Sequence, residues 1–158
     1  MTNTVYSSRL FCHSEPTAKS LILIIVVNIL GMSAYLTKET KNFIMKKQTD
    51  KILQKHVHVI IDRKLGSVHP EHDDIVYEVN YGYVKGVVGG DGEEQDVYVL
   101  GVDEPIDEFD GIVTAIIHRN NDDEDKWVVV PDGVVITDDE IKRKTEFMEK
   151  YFDIEILR

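Results

Sequence analysis

The stretch Asp91-Gly92-Glu93-Glu94-Gln95-Asp96, running directly into Val97-Tyr98-Val99-Leu100, decides how the rest of the chain is read. Gly86, Gly89 and Gly90 lead into it, and an apolar run leaves it, so it is a turn feeding a strand. Four carboxylates crowded at a strand entrance repel one another unless solvent or a cation compensates. Hard oxygen donors at that density suit Mg²⁺ or Mn²⁺. The same residues are ordinary turn formers, so the run by itself does not establish a metal site.

Working outward, Trp127–Val130 follows Ile112–His118 through the acidic turn Arg119–Lys126 (RNNDDEDK), which predicts a hairpin with a second carboxylate group, Asp122 to Asp125, at a strand end. Upstream, Val57, Val59 and Ile61 alternate in a strand that ends at Asp62. A second strand is expected over Ile75–Val84, with Tyr77, Tyr81 and Tyr83 sharing a face. Between these two, His69 and His72 sit with Glu71, Asp73 and Asp74 around Pro70, a composition that turn chemistry accounts for. Downstream, Thr137 followed by Glu140 three residues later is a capping box, and Ile141, Thr145, Met148 and Phe152 then recur at helical spacing. About five short strands with glycine turns, closed by one helix, predict a mainly β fold with α: a small five-stranded OB-like barrel over residues 56–131 with a C-terminal helix.

Composition bounds the function. The chain has 158 residues and a formal net charge of −11, unevenly spread: residues 1–49 carry six basic against two acidic side chains, residues 50–158 twelve against twenty-seven. An acidic domain repels nucleic acid, whose binding rests on cationic side chains, and favours divalent cations. The single cysteine, Cys12, excludes an internal disulfide framework and a zinc-type Cys/His array, which fits a reducing cytoplasm. Residues 20–37 carry no charge and are at the short limit for spanning a bilayer, interrupted by Asn28, Gly31 and Ser33. They are read in three ways: part of an extension dispensable to the working protein, a membrane anchor, or a signal peptide without an A-x-A-like cleavage site. Met45-Lys46-Lys47 reads as a natural start. The expected division is an N-terminal extension, 1–48, and a barrel domain, 49–158. Removal of residues 1–44 is expected to leave the thermal unfolding midpoint of the remainder nearly unchanged; a large loss of stability on that deletion defeats the division.

Tyr77-Glu78-Val79-Asn80-Tyr81-Gly82-Tyr83, followed by Asp91-Gly92-Glu93-Glu94-Gln95-Asp96-Val97, resembles the Y-P-x-N-Y-G-Y and D-G-D-P-x-D-V motifs of the soluble family I inorganic pyrophosphatases. The hairpin Ala115–Pro131 resembles that family's second metal-binding hairpin, Phe147-Met148-Glu149-Lys150-Tyr151 its F-F-E-x-Y helix, and Asp62 with Gly66-Ser67 its E-x-P-x-G-S strand end. The likeness covers residues 57–152; residues 1–48 have no counterpart. It implies Mg²⁺-dependent hydrolysis of pyrophosphate to two phosphates. Asp91, Glu93, Asp96, Asp122 and Asp125 are the implied metal ligands, with Glu93 also orienting the attacking water. Lys126 and Tyr81 are implied in catalysis, and Tyr81, Tyr151 and Lys126 in contacting phosphate, with Arg63 or Arg119 as substitutes for cations missing from the N-terminal part. The resemblance also makes self-association into a homo-oligomer an expectation. Departures are visible: Glu93 is one methylene longer than the family's aspartate, Glu94 replaces its turn proline, and Phe152 stands where it has a phosphate-binding lysine. Two other functions stay open on the residues: a phosphohydrolase acting on another small phosphate compound, and a metal-binding domain without turnover.

Overall fold

The computed structural model describes residues 38–158, with the side chains of residues 38, 39, 41, 42 and 44 left out. Residues 42–158 form one compact unit. The expectations for residues 20–37 lie outside the described residues, among which no helix is long and apolar enough to cross a membrane.

Helix α1 (Lys38–Ile52) comes first. It is polar and carries no broad apolar stripe; Thr49 is buried and its hydroxyl donates back to the Met45 carbonyl. The chain leaves the helix through Gln54, at φ 66°. Gln54 N–H donates to the Val113 carbonyl, and Val113 N–H to that of Lys55, which hooks the exit of α1 onto the barrel.

Strands β1 (His56–Arg63), β2 (Asn80–Val88), β3 (Glu94–Val99), β4 (Glu108–Arg119) and β5 (Lys126–Val130) follow. The order is β1-β2-β3-β5-β4, and β4 pairs back on β1, so the sheet closes into the five-stranded barrel expected from sequence. All its pairings are antiparallel except β3 with β5, which run parallel. Helix α2 (Asp138–Glu149) and a last strand, β6 (Ile154–Leu157), paired to β4 outside the closed ring, complete the order.

Two cores result from the period-2 alternation of the strands. Val59, Ile61, Val84, Val97, Val99, Trp127 and Val129 form one cluster, inside the barrel. The intervening residues Tyr98, Leu100, Val128 and Val130 face outward and meet Ile136, Ile141 and Phe147 under α2. Both faces of β5 are therefore covered, and all five of its residues are buried. In β4 the alternation slips. The register against β5 shifts between Val113 and Ala115, so Val113 and Ile116 face one core and Ala115 and Ile117 the other. Thr114 is the extra residue of a β-bulge, which bends the strand as a small barrel requires. At Gly82 a Cβ would lie 1.9 Å from the Ile60 carbonyl oxygen, so only glycine admits β1 and β2 at this spacing.

Three local expectations shift. Ile75, Tyr77 and Val79 are buried and alternate with exposed neighbours, but they precede β2; Val76 bridges only to Val68. Ring contacts link Tyr77, Tyr81 and Tyr98 rather than the predicted trio with Tyr83. Helix α2 begins as expected, with Thr137 accepting from Glu140 N–H and the Glu140 carboxylate accepting from Thr137 N–H. It ends at Glu149, so its buried face is Ile141, Thr145, Phe147 and Glu149, and Phe152 lies beyond it. The cap is exposed and locally satisfied, which isolates its contribution. Thr137→Ala is expected to cost about 1 kcal/mol in urea denaturation with an unchanged slope; a change below a few tenths would show that the box contributes nothing.

Candidate active site

Sheet parity assembles the site. Asp96 lies on the same face of β3 as Tyr98, and Tyr81 pairs directly with Tyr98 across the antiparallel ladder. The parallel register sets Tyr98 beside Val128, which brings Asp96, two residues earlier, level with Lys126. All four therefore emerge on the outer face, near the end of α2. Tyr81 O–H donates to Asp96 Oδ2; the Lys126 ammonium donates to the same oxygen and, at 3.0 Å, to the Tyr81 hydroxyl. Glu124 holds the ammonium from the other side.

Behind this group a second, interior layer fixes it. Arg119 reaches Glu149 through two bonds, Nε to Oε2 at 2.9 Å and Nη2 to Oε1 at 2.7 Å. Its Nη1 reaches Asp122 at 3.1 Å and Glu124 at 3.4 Å. Tyr98 O–H donates to Glu149 at 2.6 Å, and the Phe152 ring lies over the guanidinium at 3.6 Å. Arg119 is thus an interior cation held by three carboxylates. Its own pKa is driven up: burial works against the charge, but the bonds to Glu149 more than offset it.

Asp96 and Glu124 are close enough to titrate together. Burial raises Asp96, but its hydrogen bond with Glu124 and the Lys126 ammonium hold it below its ordinary value. Glu124 is pushed up to about 7, chiefly by burial and then by that same hydrogen bond to Asp96. Of the two, Glu124 is therefore the carboxyl that keeps a proton to higher pH. Asp62 is raised as well, first by burial; Arg63 opposes this and the Asp96 charge adds to it. Arg63 Nη1 lies 3.2 Å from the Asp62 carboxylate. Tyr77 and Tyr81 are raised by burial and by neighbouring carboxylates, so both stay neutral phenols.

A pH dependence follows from Glu124. Its folded pKa lies above the ordinary 4.5, so the folded state binds the proton more tightly than the unfolded chain does. The contribution is complete below 4.5 and is lost as pH rises through about 7. In EDTA the midpoint of thermal unfolding is expected to fall from pH 5 to pH 8, and Glu124→Gln to flatten that slope. An identical slope in the variant would exclude Glu124 as its source.

The two acidic turns meet at their backbones. A Cβ on Gly90 would lie 2.0 Å from the Asp123 carbonyl oxygen, and the Gln95 amide donates to the Asp125 carbonyl at 2.6 Å. Their side chains do not all converge. Asp91 and Glu93 are exposed, and the Asp91 carboxylate accepts from Glu93 N–H at 3.0 Å. Asp122 turns to Arg119, and Asp125 to His118 at 2.7 Å. Tyr151 is exposed, with the Lys150 ammonium 5.0 Å from its ring centre. Of the residues singled out from sequence, Asp96, Lys126 and Tyr81 come together, and Arg63 pairs with Tyr81 across β1 and β2. Glu124, Tyr77 and Glu149 belong to the same network and were not singled out; Glu124 shares the pleat parity of Lys126, which is the signal that marks it.

Among the described residues no three His, Cys, Asp or Glu side chains are set around a common point as a ready-made metal site. The donor chemistry does fit a hard divalent cation: every acid here offers oxygen, and Asp96 and Glu124 both lie against the Lys126 ammonium.

The same architecture occurs in the inorganic pyrophosphatase from Ehrlichia chaffeensis, with a TM-score of 0.51 and 19% identity over 65% of this chain and 85% of that one. The enzyme from Coxiella burnetii superposes with a TM-score of 0.50 at 17% identity, over 66% of this chain and 84% of that one. This is the fold of the inorganic pyrophosphatases. No protein-family model and no curated protein sequence matches the chain. Within the pyrophosphatase fold, the cluster of Asp96, Lys126, Tyr81 and Glu124 lies on strands β2, β3 and the entrance of β5.

Proposed function

We propose that this chain hydrolyses inorganic pyrophosphate to two phosphates with Mg²⁺, Mn²⁺ serving in its place, and that residues 49–158 carry the activity. The observation that carries this reading is the group of the Asp96 and Glu124 carboxylates, the Lys126 ammonium and the Tyr81 hydroxyl on one face of the sheet, oxygen donors and a cation together where a metal and a phosphate can meet. The fold agrees with it.

Asp96 and Glu124 would hold the cation, with Asp91, Glu93, Asp122 and Asp125 on the adjoining turns available as further donors. When bound, it polarises phosphoryl oxygens and makes water a stronger acid. Glu93, on an exposed turn, orients the attacking water and takes its proton. Lys126 and Arg63 contact phosphoryl oxygens, and Lys126 offsets the charge that develops in the transition state. Tyr81, a neutral phenol, keeps a proton to donate to an oxygen, and Tyr151 contacts phosphate from the end of α2. Arg119 acts at one remove by fixing Glu124. Self-association of the domain and a cytoplasmic location complete the proposal; the net charge of the domain argues against nucleic acid as a partner.

The test is phosphate release from pyrophosphate by the full chain, with Mg²⁺ and with EDTA. Mg²⁺-dependent release is expected. Phosphate release that EDTA leaves untouched, or none at all, overturns the proposal. A second reading, an organic phosphate substrate, is favoured by Phe152, which covers Arg119 where a lysine would offer a second cation.

A further inference from the structure

Charge is divided along this chain in a way that the cluster around Lys126 does not use. Residues 38–55, which make α1 and its exit, carry six lysines against Glu39 and Asp50; residues 56–158 carry ten basic side chains against twenty-six acidic ones. Helix α1 sorts its side chains by face. Thr49 is buried, Met45 half-buried, and Ile52 and Leu53 pack against the interior core. Phe43, Lys46, Lys47, Asp50 and Lys51 recur at spacings of three and four, so they share the opposite, exposed face. Lys55, just past the helix, is exposed as well.

These lysines are open to a partner. Lys64, Lys126 and Lys144 each pair with a carboxylate, whereas among the described residues Lys46, Lys47, Lys51 and Lys55 pair with none. Phe43 is 43% exposed, so an aromatic ring stands in the same basic face. The uncharged run 20–37 ends at Thr37, directly before the helix begins at Lys38. Clustered lysines next to an apolar run, with an exposed ring among them, match the two parts of a bilayer surface: anionic headgroups and the acyl boundary beneath them. Duplex nucleic acid offers charge to the lysines but nothing to Phe43 or to the run. The acidic barrel does not cancel the attraction. A helix with its side chains is about 10–12 Å across, and exposed charges further apart than about 8 Å are largely screened at physiological salt.

We propose that the exposed face of α1 docks on the anionic cytoplasmic surface of a membrane, with lipid phosphates at Lys46, Lys47, Lys51 and Lys55 and Phe43 at the acyl boundary. The side of the membrane follows from the basic flank, since lysines and arginines close to an apolar run stay on the cytoplasmic side. None of these lysines belongs to the cluster of Asp96, Lys126, Tyr81 and Glu124, so the inference does not rest on the hydrolytic reading.

The experiment is sedimentation of the full chain with vesicles of phosphatidylcholine alone and of phosphatidylcholine mixed with phosphatidylglycerol, at low and at high salt. Binding to the anionic vesicles is expected to be about tenfold or more tighter, and to weaken as salt rises. Lys47→Gln and Lys51→Gln are each expected to lower it about fivefold, the increment of one lysine at such a surface. Changing all four lysines to glutamine is expected to erase the preference for anionic lipid and leave the thermal unfolding midpoint unchanged, because all four are exposed and unpaired among the described residues. The single substitutions and the salt series read the same contact if the fourfold variant melts early. Lys142→Gln with Arg143→Gln, exposed on α2, is the comparison that should change nothing. Equal binding to both kinds of vesicle means that the run 20–37 holds the chain by itself, and overturns the inference. So does anionic-vesicle binding that the fourfold variant retains, no binding to either, or lysine-dependent binding to duplex DNA or to a second copy in place of vesicles. Lysine-dependent vesicle binding without phosphate release leaves this inference standing and removes the enzymatic one; phosphate release without vesicle binding does the reverse.

Discussion

Replacing Arg119 by methionine is expected to lower the unfolding free energy by about 3–5 kcal/mol, as breaking one partner out of a buried ion pair does. The side chains of Arg119 and Glu149 are 5% and 1% exposed, so neither charge can turn to water when its partner is lost. Without the guanidinium, Glu149 keeps one hydrogen bond, from Tyr98, and an uncompensated charge in the second core. Against a typical total of about 5–15 kcal/mol, that loss removes much of the stability of a small domain. The pair itself is a different quantity. Arg119→Met with Glu149→Leu and Tyr98→Phe removes the charges and the hydroxyl together, and is expected to recover most of the loss, because desolvation roughly cancels the attraction in such pairs. Urea denaturation of the single and triple variants measures both. A single-variant loss under about 1 kcal/mol would mean that water reaches Glu149 and that the pair is not buried in solution. The recovered triple variant separates folding from function. Arg119 also positions Glu124, so hydrolysis should stay depressed after stability returns.

That pair marks one limit of reading the chain from its letters. Arg119 and Glu149 are thirty residues apart, and an arginine beside a run of carboxylates has the same spelling whether it faces phosphate or closes a core. The acidic turn poses a similar problem. Asp122, Asp123, Glu124 and Asp125 are chemically alike, and only the turn geometry directs Asp122 to Arg119, Asp125 to His118 and Glu124 to Lys126. The barrel was more legible because alternation reports burial directly. Val97, Val99, Trp127 and Val129 face one core while Tyr98, Leu100, Val128 and Val130 face the other. Burial is not pairing, however: Ile75, Tyr77 and Val79 alternate like a strand while the backbone there bridges only once, to Val68. Helix α1 and strand β6 escaped for a related reason. The first has too few apolar residues to show a period, and the second has four residues, too few for a period to register.

Replacing Asp96 by asparagine is expected to abolish Mg²⁺-dependent phosphate release, by about 10²-fold or more, the scale on which a misplaced reacting group reduces rate. Asparagine keeps the shape of the side chain and an oxygen that can accept from Tyr81 and Lys126. What it removes is one negative charge, and with it the partner that, after burial, helps push the Glu124 pKa up to about 7. Glu124 then ionises more readily and pairs with Lys126 alone, so the local charge falls from two carboxylates around one ammonium to one. In EDTA above pH 7 the variant should therefore melt at the same temperature as the parent chain or higher, because a repulsion has been relieved. Mg²⁺ affinity should fall at the same time, since a hard cation loses a charged oxygen donor. These opposite movements distinguish a ligand from a structural residue: loss of a mere fold contact would lower the melting point and leave Mg²⁺ binding alone. Asp91→Asn, on an exposed turn, is the comparison for a carboxylate held less firmly, and a smaller loss of Mg²⁺ affinity is expected there. Calorimetric Mg²⁺ titration and thermal melts of the three proteins decide the matter. If Asp96→Asn binds Mg²⁺ as the parent does, the cluster on β3 and β5 is a buried polar network and the metal reading fails.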